Sequence, residues 1–290
     1  MITIYRALLA LLSPIAVIIL LLEMRKRGGG KRFLQQRLGM FGAPSNQCKF
    51  WFHAASVGEV SAIQPLIQLA LNHGNVLVTS NTPESARLLE RLYGGQVTHC
   101  YCPLDFAWAV RGLFSRYQPE YLFVAETEIW PNLFRICEDR HVPLFIANGR
   151  LSKKTLQSSG FVKRYYREAL ASVTCVWARS ESDAKGFETL GCPADRVKVL
   201  GNIKFNGAIK GSSAKATELP VVPFVLAAST HEGEESELAA LWQALPTPPL
   251  LVIMPRHPPR GGEVASQLRG LGINVAQRSR NEVITDDIQV

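Results

Sequence analysis

Five short clusters in this 290-residue chain carry side chains of the kind that move protons or hold anions. In Ser56-Val57-Gly58-Glu59-Val60, Gly58 has no Cβ and permits close approach of a ligand, while Glu59 presents a carboxylate where a helix opens. Position alone also lets Glu59 complement the positive end of that helix, and on position alone this second role fits better. In Glu126-Thr127-Glu128-Ile129-Trp130-Pro131-Asn132, two carboxylates flank one threonine just before a helix that starts at Pro131. Extended backbone would turn both the same way, and like charges so close raise the pKa of one. Helix capping accounts for only one of them. In Gly201-Asn202-Ile203-Lys204-Phe205-Asn206, Lys204 is a cation suited to a departing phosphate, or equally a solvated lysine beside a linker. Ser229-Thr230-His231-Glu232-Gly233-Glu234-Glu235 reads as a capped helix start whose acidic first turn repels phosphate. Met254-Pro255-Arg256-His257-Pro258-Pro259-Arg260 holds two arginines with no nearby acid, as an anionic nucleotide requires. His257 has no second ligand near it in sequence and is not read as a metal site.

These clusters need a frame that puts them at one edge. Apolar runs at Phe50 to Ala54, Val76 to Thr79, Tyr121 to Ala125, Leu144 to Ala147, Cys175 to Ala178 and Val197 to Leu200 predict strands. Helical patterns over 59–73, 84–93, 131–140 and 160–170 lie between them. That alternation predicts an α/β fold with a parallel sheet wrapped by helices, and ligands of such sheets bind at the carboxyl ends of the strands. Residues 207–219, rich in Gly, Ser, Lys and Ala, predict an interdomain linker. A second unit follows from 220, with strands at Phe224 to Ala228, Leu250 to Met254 and 273–276, and helices over 232–245 and 262–271.

The N-terminus differs in kind. Residues 7–22 carry no charge and are followed by Arg25, Lys26, Arg27, Lys31, Arg32 and Arg37. Counting from Ile2 the stretch reaches about 20 residues, enough to cross a hydrocarbon core with a kink at Pro14. Only Arg6 precedes the apolar run and most of the charge follows it, with no small-residue cleavage site, so retention is expected over cleavage. The positive-inside rule then puts the body on the cytoplasmic side of the membrane, held by anionic lipid. With 47% hydrophobic residues and no low-complexity tract, the chain reads as globular. The net charge of +8 suits an anionic partner, but no helix-turn-helix, zinc-finger or RNA-binding pattern appears, which sets nucleic acid aside. The six cysteines lack paired spacing and read as small buried hydrophobes in a reducing compartment.

Taken in order, SVGEV at 56–60, AETEIWPNL at 125–133, ANGRLS at 147–152, GNIKF at 201–205, STHEGEE at 229–235 and PRHPPR at 255–260 resemble the bacterial Kdo (3-deoxy-D-manno-octulosonic acid) transferases across essentially the whole chain. The resemblance implies a GT-B glycosyltransferase with two Rossmann-like domains: a membrane anchor over 1–24, a basic membrane-proximal segment over 25–48, an acceptor-binding domain over 49–206, and a partial CMP-Kdo-binding domain over 220–290. It implies inverting transfer of Kdo from CMP-Kdo to a lipid A precursor at the inner membrane. Glu59 would be the general base, Glu126 and Lys204 would stabilise the transition state, and Pro255 and Arg256 would contact the nucleotide. Ser56 and Gly58 would line the substrate site, and no metal or cofactor beyond the donor is implied.

The family pattern continues with a Met-Gly-Glu and an Asn-Pro-Leu-Glu segment that have no match before Val290. The expectation from this is an incomplete second domain with weak donor binding. Two alternatives remain: a GT-B enzyme using another nucleotide sugar, which would share the fold but is not expected to carry this set of motifs, and a membrane-bound remnant without turnover.

Overall fold

A computed structural model describes residues 2–42, 47–205, 222–285 and 287–290. The linker expected at 207–219 lies outside the described residues. The chain divides into two compact units, Met1–Ser212 and Ser213–Val290.

The first unit opens with two helices, α1 (Ile2–Arg27) and α2 (Gly30–Arg37). It then alternates β1 (Phe50–His53), α3 (Val57–Leu71), β2 (Val76–Ser80), α4 (Pro83–Tyr93), β3 (Thr98–Tyr101), α5 (Ala107–Tyr117), β4 (Tyr121–Ala125), α6 (Pro131–Asp139) and β5 (Leu144–Gly149). The short α7 (Lys153–Leu156) follows, then α8 (Gly160–Leu170), β6 (Cys175–Ala178), α9 (Glu181–Thr189) and β7 (Val197–Val199). All seven strands pair in parallel in the order β3-β2-β1-β4-β5-β6-β7. The chain therefore winds outward from β1 in one direction, returns, and winds outward from β4 in the other. The β1–β4 boundary is the topological switch point, where sheets of this kind leave a crevice outside the strand ends.

Side chains alternate across this sheet as the pleat requires. Trp51, Leu122 and Val124 join the core built with α5, α6 and α8, while Phe52, Ala125 and Val78 join the core built with α3 and α4. An aromatic ladder ties the central strands: Phe52 stacks on Phe123 at 5.0 Å and Phe123 on Phe145 at 4.9 Å between ring centroids.

Five elements go beyond the sequence reading: α2, β3, α5, α7 and α9. Residues 98–101 are too short and polar to read as a strand, yet Cys100 and Tyr101 are buried against β2. Arg37 also departs from expectation. It was grouped with the lipid-facing cations, but it is buried, and its Nη1 donates to Asn81 Oδ1 at 2.7 Å and to the Cys102 carbonyl at 2.6 Å. The six cysteines are free thiols; five are buried and Cys175 is half-buried.

The second unit holds β8 (Phe224–Thr230), α10 (Glu234–Gln243), β9 (Leu250–Pro255) and α11 (Gly261–Gly270), with β8 and β9 in parallel. Its core is built around Ala239, Val264, Leu268 and Ile273. The strand expected at 273–276 is not formed against β9. Instead Asn274 accepts from the backbone N–H groups of Gln289 and Val290, and Leu251 N–H donates to the Gln289 carbonyl, so the 288–290 segment takes the place beside β9.

Asp105 is a structural acceptor on which the first unit relies. Its carboxylate accepts from Asn132 N–H at 2.8 Å, Leu133 N–H at 2.9 Å and the Tyr5 hydroxyl at 2.9 Å, supplying from a distant loop the cap that α6 lacks locally. Asp105→Ala leaves three buried or half-buried donors without a partner. The expected loss is about 3 kcal/mol, read as a lower urea midpoint.

Candidate active site

At the switch point, β1 ends at His53 and the chain enters α3 through Ala54-Ala55-Ser56. Ser56 is the N-cap: its Oγ accepts from Glu59 N–H at 3.3 Å. Glu59 reaches back, its Oε2 accepting from Ala55 N–H at 2.7 Å and its Oε1 from the Ser56 hydroxyl at 3.0 Å. This resembles a capping box with the Ala55 N–H in place of the N-cap N–H, so the helix-end role considered for Glu59 is present. It leaves carboxylate lone pairs unused, since each oxygen carries two. Burial raises the Glu59 pKa from its ordinary value, the Ala55 N–H works against this, and the nearby Glu128 charge adds to the rise.

Gly58 sits in the first turn of α3 with ordinary helical backbone. A Cβ built there would meet nothing closer than Ser56 Oγ at 3.9 Å. The fold gives no steric reason for glycine at this position.

On the other side of the boundary, β4 stops at Ala125 and Glu126 takes φ +54°, a left-handed conformation. That turn separates the two carboxylates that extended backbone would have aligned. Glu126 Oε1 lies 3.5 Å from Lys204 Nζ. Glu128 turns to His53 and Trp130: its Oε2 lies 3.9 Å from His53 Nε2 and accepts from Trp130 Nε1 at 3.0 Å. The like-charge pair expected from Glu126 and Glu128 is therefore not formed. Burial opposes the charge on Glu128, but His53 and Trp130 hold its pKa below the ordinary value. The carboxyl pushed upward is Glu59.

His53 carries no special signal in the sequence, being one apolar-run residue among several. It is fully buried, with Nδ1 2.9 Å from Thr79 Oγ1. Burial opposes its charge, Cys102 and Glu128 favour it, and its pKa is pushed up to about 10. The site thus runs Glu59, Glu128, His53 inward from the edge.

Lys204 is held by an equally unanticipated residue. Asn148, buried at the end of β5 with φ +57°, accepts from Ile203 N–H at 3.2 Å through its Oδ1. Ile203 is buried, and Lys204, next in the chain, is left half-exposed toward Glu126. An asparagine closing a strand was the available signal, because its side chain tolerates the left-handed region.

In the second unit Pro255 closes β9, and Arg256 N–H donates to the Thr230 carbonyl at 2.9 Å. The Arg256 side chain is exposed, and no ion pair engages it among the described residues. Arg260 differs from the sequence reading. Its guanidinium binds the buried Glu235 at 3.0 and 3.3 Å, and Thr230 Oγ1 donates to the same carboxylate at 2.8 Å. The acid twenty-five residues earlier returns to it through the β8–β9 pairing. The helix start also shifts: α10 is capped by Gly233 at φ +94° without a side-chain bond, rather than by Ser229 or Thr230. A cleft of about 720 Å³ in this unit is lined mainly by apolar groups such as Leu226, Val252, Val264 and Leu268, with Gln277, Arg278 and Ser279 also on its wall.

A doubly wound parallel sheet with charged side chains at its switch point, followed in the chain by a second unit of β-α-β order, defines a mixed α/β, GT-B-like fold. Solved structures share this fold. UDP-GlcNAc 2-epimerase from Neisseria meningitidis bound to UDP-GlcNAc aligns with a TM-score of 0.54 at 16% identity, over 77% of this chain and 69% of that one. A glycosyltransferase from Rickettsia africae aligns with a TM-score of 0.51 at 13% identity, over 84% and 70%.

Residues 32–207 match the family described as 3-deoxy-D-manno-octulosonic-acid transferase (kdotransferase). The 3-deoxy-D-manno-octulosonic acid transferase of Haemophilus influenzae is 32% identical over 99% of this chain and 70% of its own length. That of Bordetella pertussis is 33% identical over 95% and 69%. The chain belongs to the Kdo transferase family of glycosyltransferases.

Glu128→Gln removes an anion that holds the proton on His53. The His53 pKa is expected to fall in an NMR titration of its imidazole.

Proposed function

We propose that this chain is an inverting transferase that moves Kdo from CMP-Kdo to a lipid A precursor such as lipid IVA, in lipopolysaccharide core assembly on the cytoplasmic side of the inner membrane. The observation that supports it most is the placement of Glu59 and of the Glu126–Lys204 pair after the two strands that flank the switch point.

Glu59 acts as general base, taking the proton from the acceptor hydroxyl as that oxygen attacks the anomeric carbon. Its raised pKa brings it nearer the proton it must accept. The bond from the anomeric carbon to the phosphate oxygen breaks with its electron pair, and CMP departs. Lys204 offsets the charge that develops on the phosphate, with Glu126 holding the ammonium in place. Attack opposite the leaving group inverts the configuration. Pro255 and the exposed Arg256 would contact the nucleotide, while Ser56 and Gly58 line the acceptor side. This reading assigns no metal or cofactor beyond the donor. Its partners are the donor, the lipid acceptor and the anionic membrane surface, with no part for nucleic acid.

The test is CMP release from CMP-Kdo by the full chain in detergent with lipid IVA. Glu59→Ala is expected to abolish release, and Lys204→Ala to slow it about 10²- to 10³-fold. Release unchanged in Glu59→Ala overturns the assignment of the base. A panel of other nucleotide sugars separates this donor from the alternatives.

Two finer outcomes follow from the geometry. Ser56→Ala removes a hydrogen bond to the Glu59 carboxylate that favours its charged form. Since activity needs that form, the acid limb of the kcat/KM profile is expected to move to higher pH, with about 1 kcal/mol of stability lost from the cap. Gly58→Ala is expected to leave the Tm unchanged or slightly higher while raising the acceptor KM, because the added methyl meets no protein atom.

A further inference from the structure

We infer that α1 is an in-plane interfacial helix: one long side is seated on the first unit and the opposite apolar side is immersed in an anionic bilayer surface. Length and composition alone allow it to cross a membrane, since it is the helix among the described residues that meets both criteria. Its burial pattern says otherwise. Tyr5, Leu9, Ser13, Ala16, Leu20 and Met24 are buried or half-buried, at spacings of three and four residues, from one end of the helix to the other. That is one continuous face of a helix. Between them Leu8, Leu11, Ile15, Ile18 and Leu22 are exposed, Leu11 by 75% and Ile18 by 57%.

Both ends are fastened to the same body. Near the start, the Tyr5 hydroxyl donates to Asp105 and Arg6 Nε donates to Asn132 Oδ1 at 2.7 Å. Near the finish, Leu20 and Met24 join Phe33 and Tyr101 in one cluster. Tyr5 and Leu20 are about 22 Å apart along the axis. A helix crossing a hydrocarbon core of about 30 Å would carry its start away from that body.

The outward side cannot be left to water, because it is a stripe of leucine and isoleucine several turns long. Exposed Arg25, Lys26 and Arg27 close the last turn and Lys31 follows, which is the charge complement of anionic head groups. The apolar surface also continues past the helix. Tyr5 contacts Tyr165 at 6.0 Å, Tyr165 contacts Phe161 at 5.2 Å, and Phe161 is half-exposed. Asn132, which holds Arg6, follows Glu128 and Trp130 by a few residues. The helix therefore fixes the catalytic edge beside the head-group layer, so that an acceptor embedded in lipid is met without extraction. That last step rests on the acceptor proposed above.

Topology and depth in the full chain test the inference. Thr3→Cys and Lys31→Cys, probed with a membrane-impermeant maleimide in spheroplasts and in inverted inner-membrane vesicles, are both expected to react only from the cytoplasmic side. The parent chain, with five of its six cysteines buried, sets the background. Reaction of Thr3→Cys from the opposite side overturns the inference. Nitroxides on Leu11→Cys, Ile15→Cys and Ile18→Cys, in phosphatidylglycerol-containing vesicles, are expected to share one shallow depth of about 5–10 Å by oxygen and nickel relaxation. A depth gradient along the helix, or spin coupling between copies without lipid contact, also overturns it. The same measurements on the Glu59→Ala chain are expected to be unchanged, so failure of the catalytic proposal and failure of this one are told apart.

Discussion

The parallel pairing of β1 with β4 is the constraint on which the rest of the first unit depends. Residues 50–53 and 121–124 lie far apart in sequence, and their register brings Phe50 opposite Tyr121 and His53 opposite Val124. Because the chain winds away from this pair in both directions, the loops after β1 and β4 diverge and leave a crevice between them. Glu59 stands on one side and Glu126 on the other. The cores on both faces of the sheet, and the aromatic ladder through Phe52 and Phe123, hold that register rigid.

Within the crevice, one backbone torsion distributes the charges. Glu126 in the left-handed region sends its carboxylate to Lys204, and two residues later Glu128 meets a buried imidazole. Each acid then has a partner of opposite charge, while Glu59 alone has only neutral donors, the Ala55 N–H and the Ser56 hydroxyl. A carboxyl that is partly buried, near another anion and bonded only to neutral groups is the one whose proton affinity rises. The three glutamates thus differ in their electrostatic surroundings.

The second unit shows the same logic at smaller scale. Arg260 and Glu235 neutralise one another inside the β8–β9 unit, which removes one of two arginines from ligand duty and leaves Arg256 exposed. On α1, composition alone fits either a helix that crosses a membrane or one that lies on it, and it is the pattern of contact that the proposed in-plane placement rests on.

The family and the doubly wound class were legible in the sequence. Local signals suffice for these: apolar runs of strand length, glycine and proline at the turns, and charged clusters just after predicted strands. Glu59, Glu126, Lys204 and Arg256 were named from such signals and the motifs they form. What the sequence could not settle was which groups meet. The pairing of Lys204 with Glu126, the removal of Arg260 by Glu235, the burial of Arg37 and the roles of His53 and Asn148 all join residues 25 to 78 positions apart. Those contacts are set by strand order and register, which are long-range properties of the packed sheet. The φ of Glu126 likewise follows from the place where β4 leaves the ladder. Sequence determined the groups available to the site, and tertiary structure decided their partners, because an electrostatic environment is a property of neighbours in space.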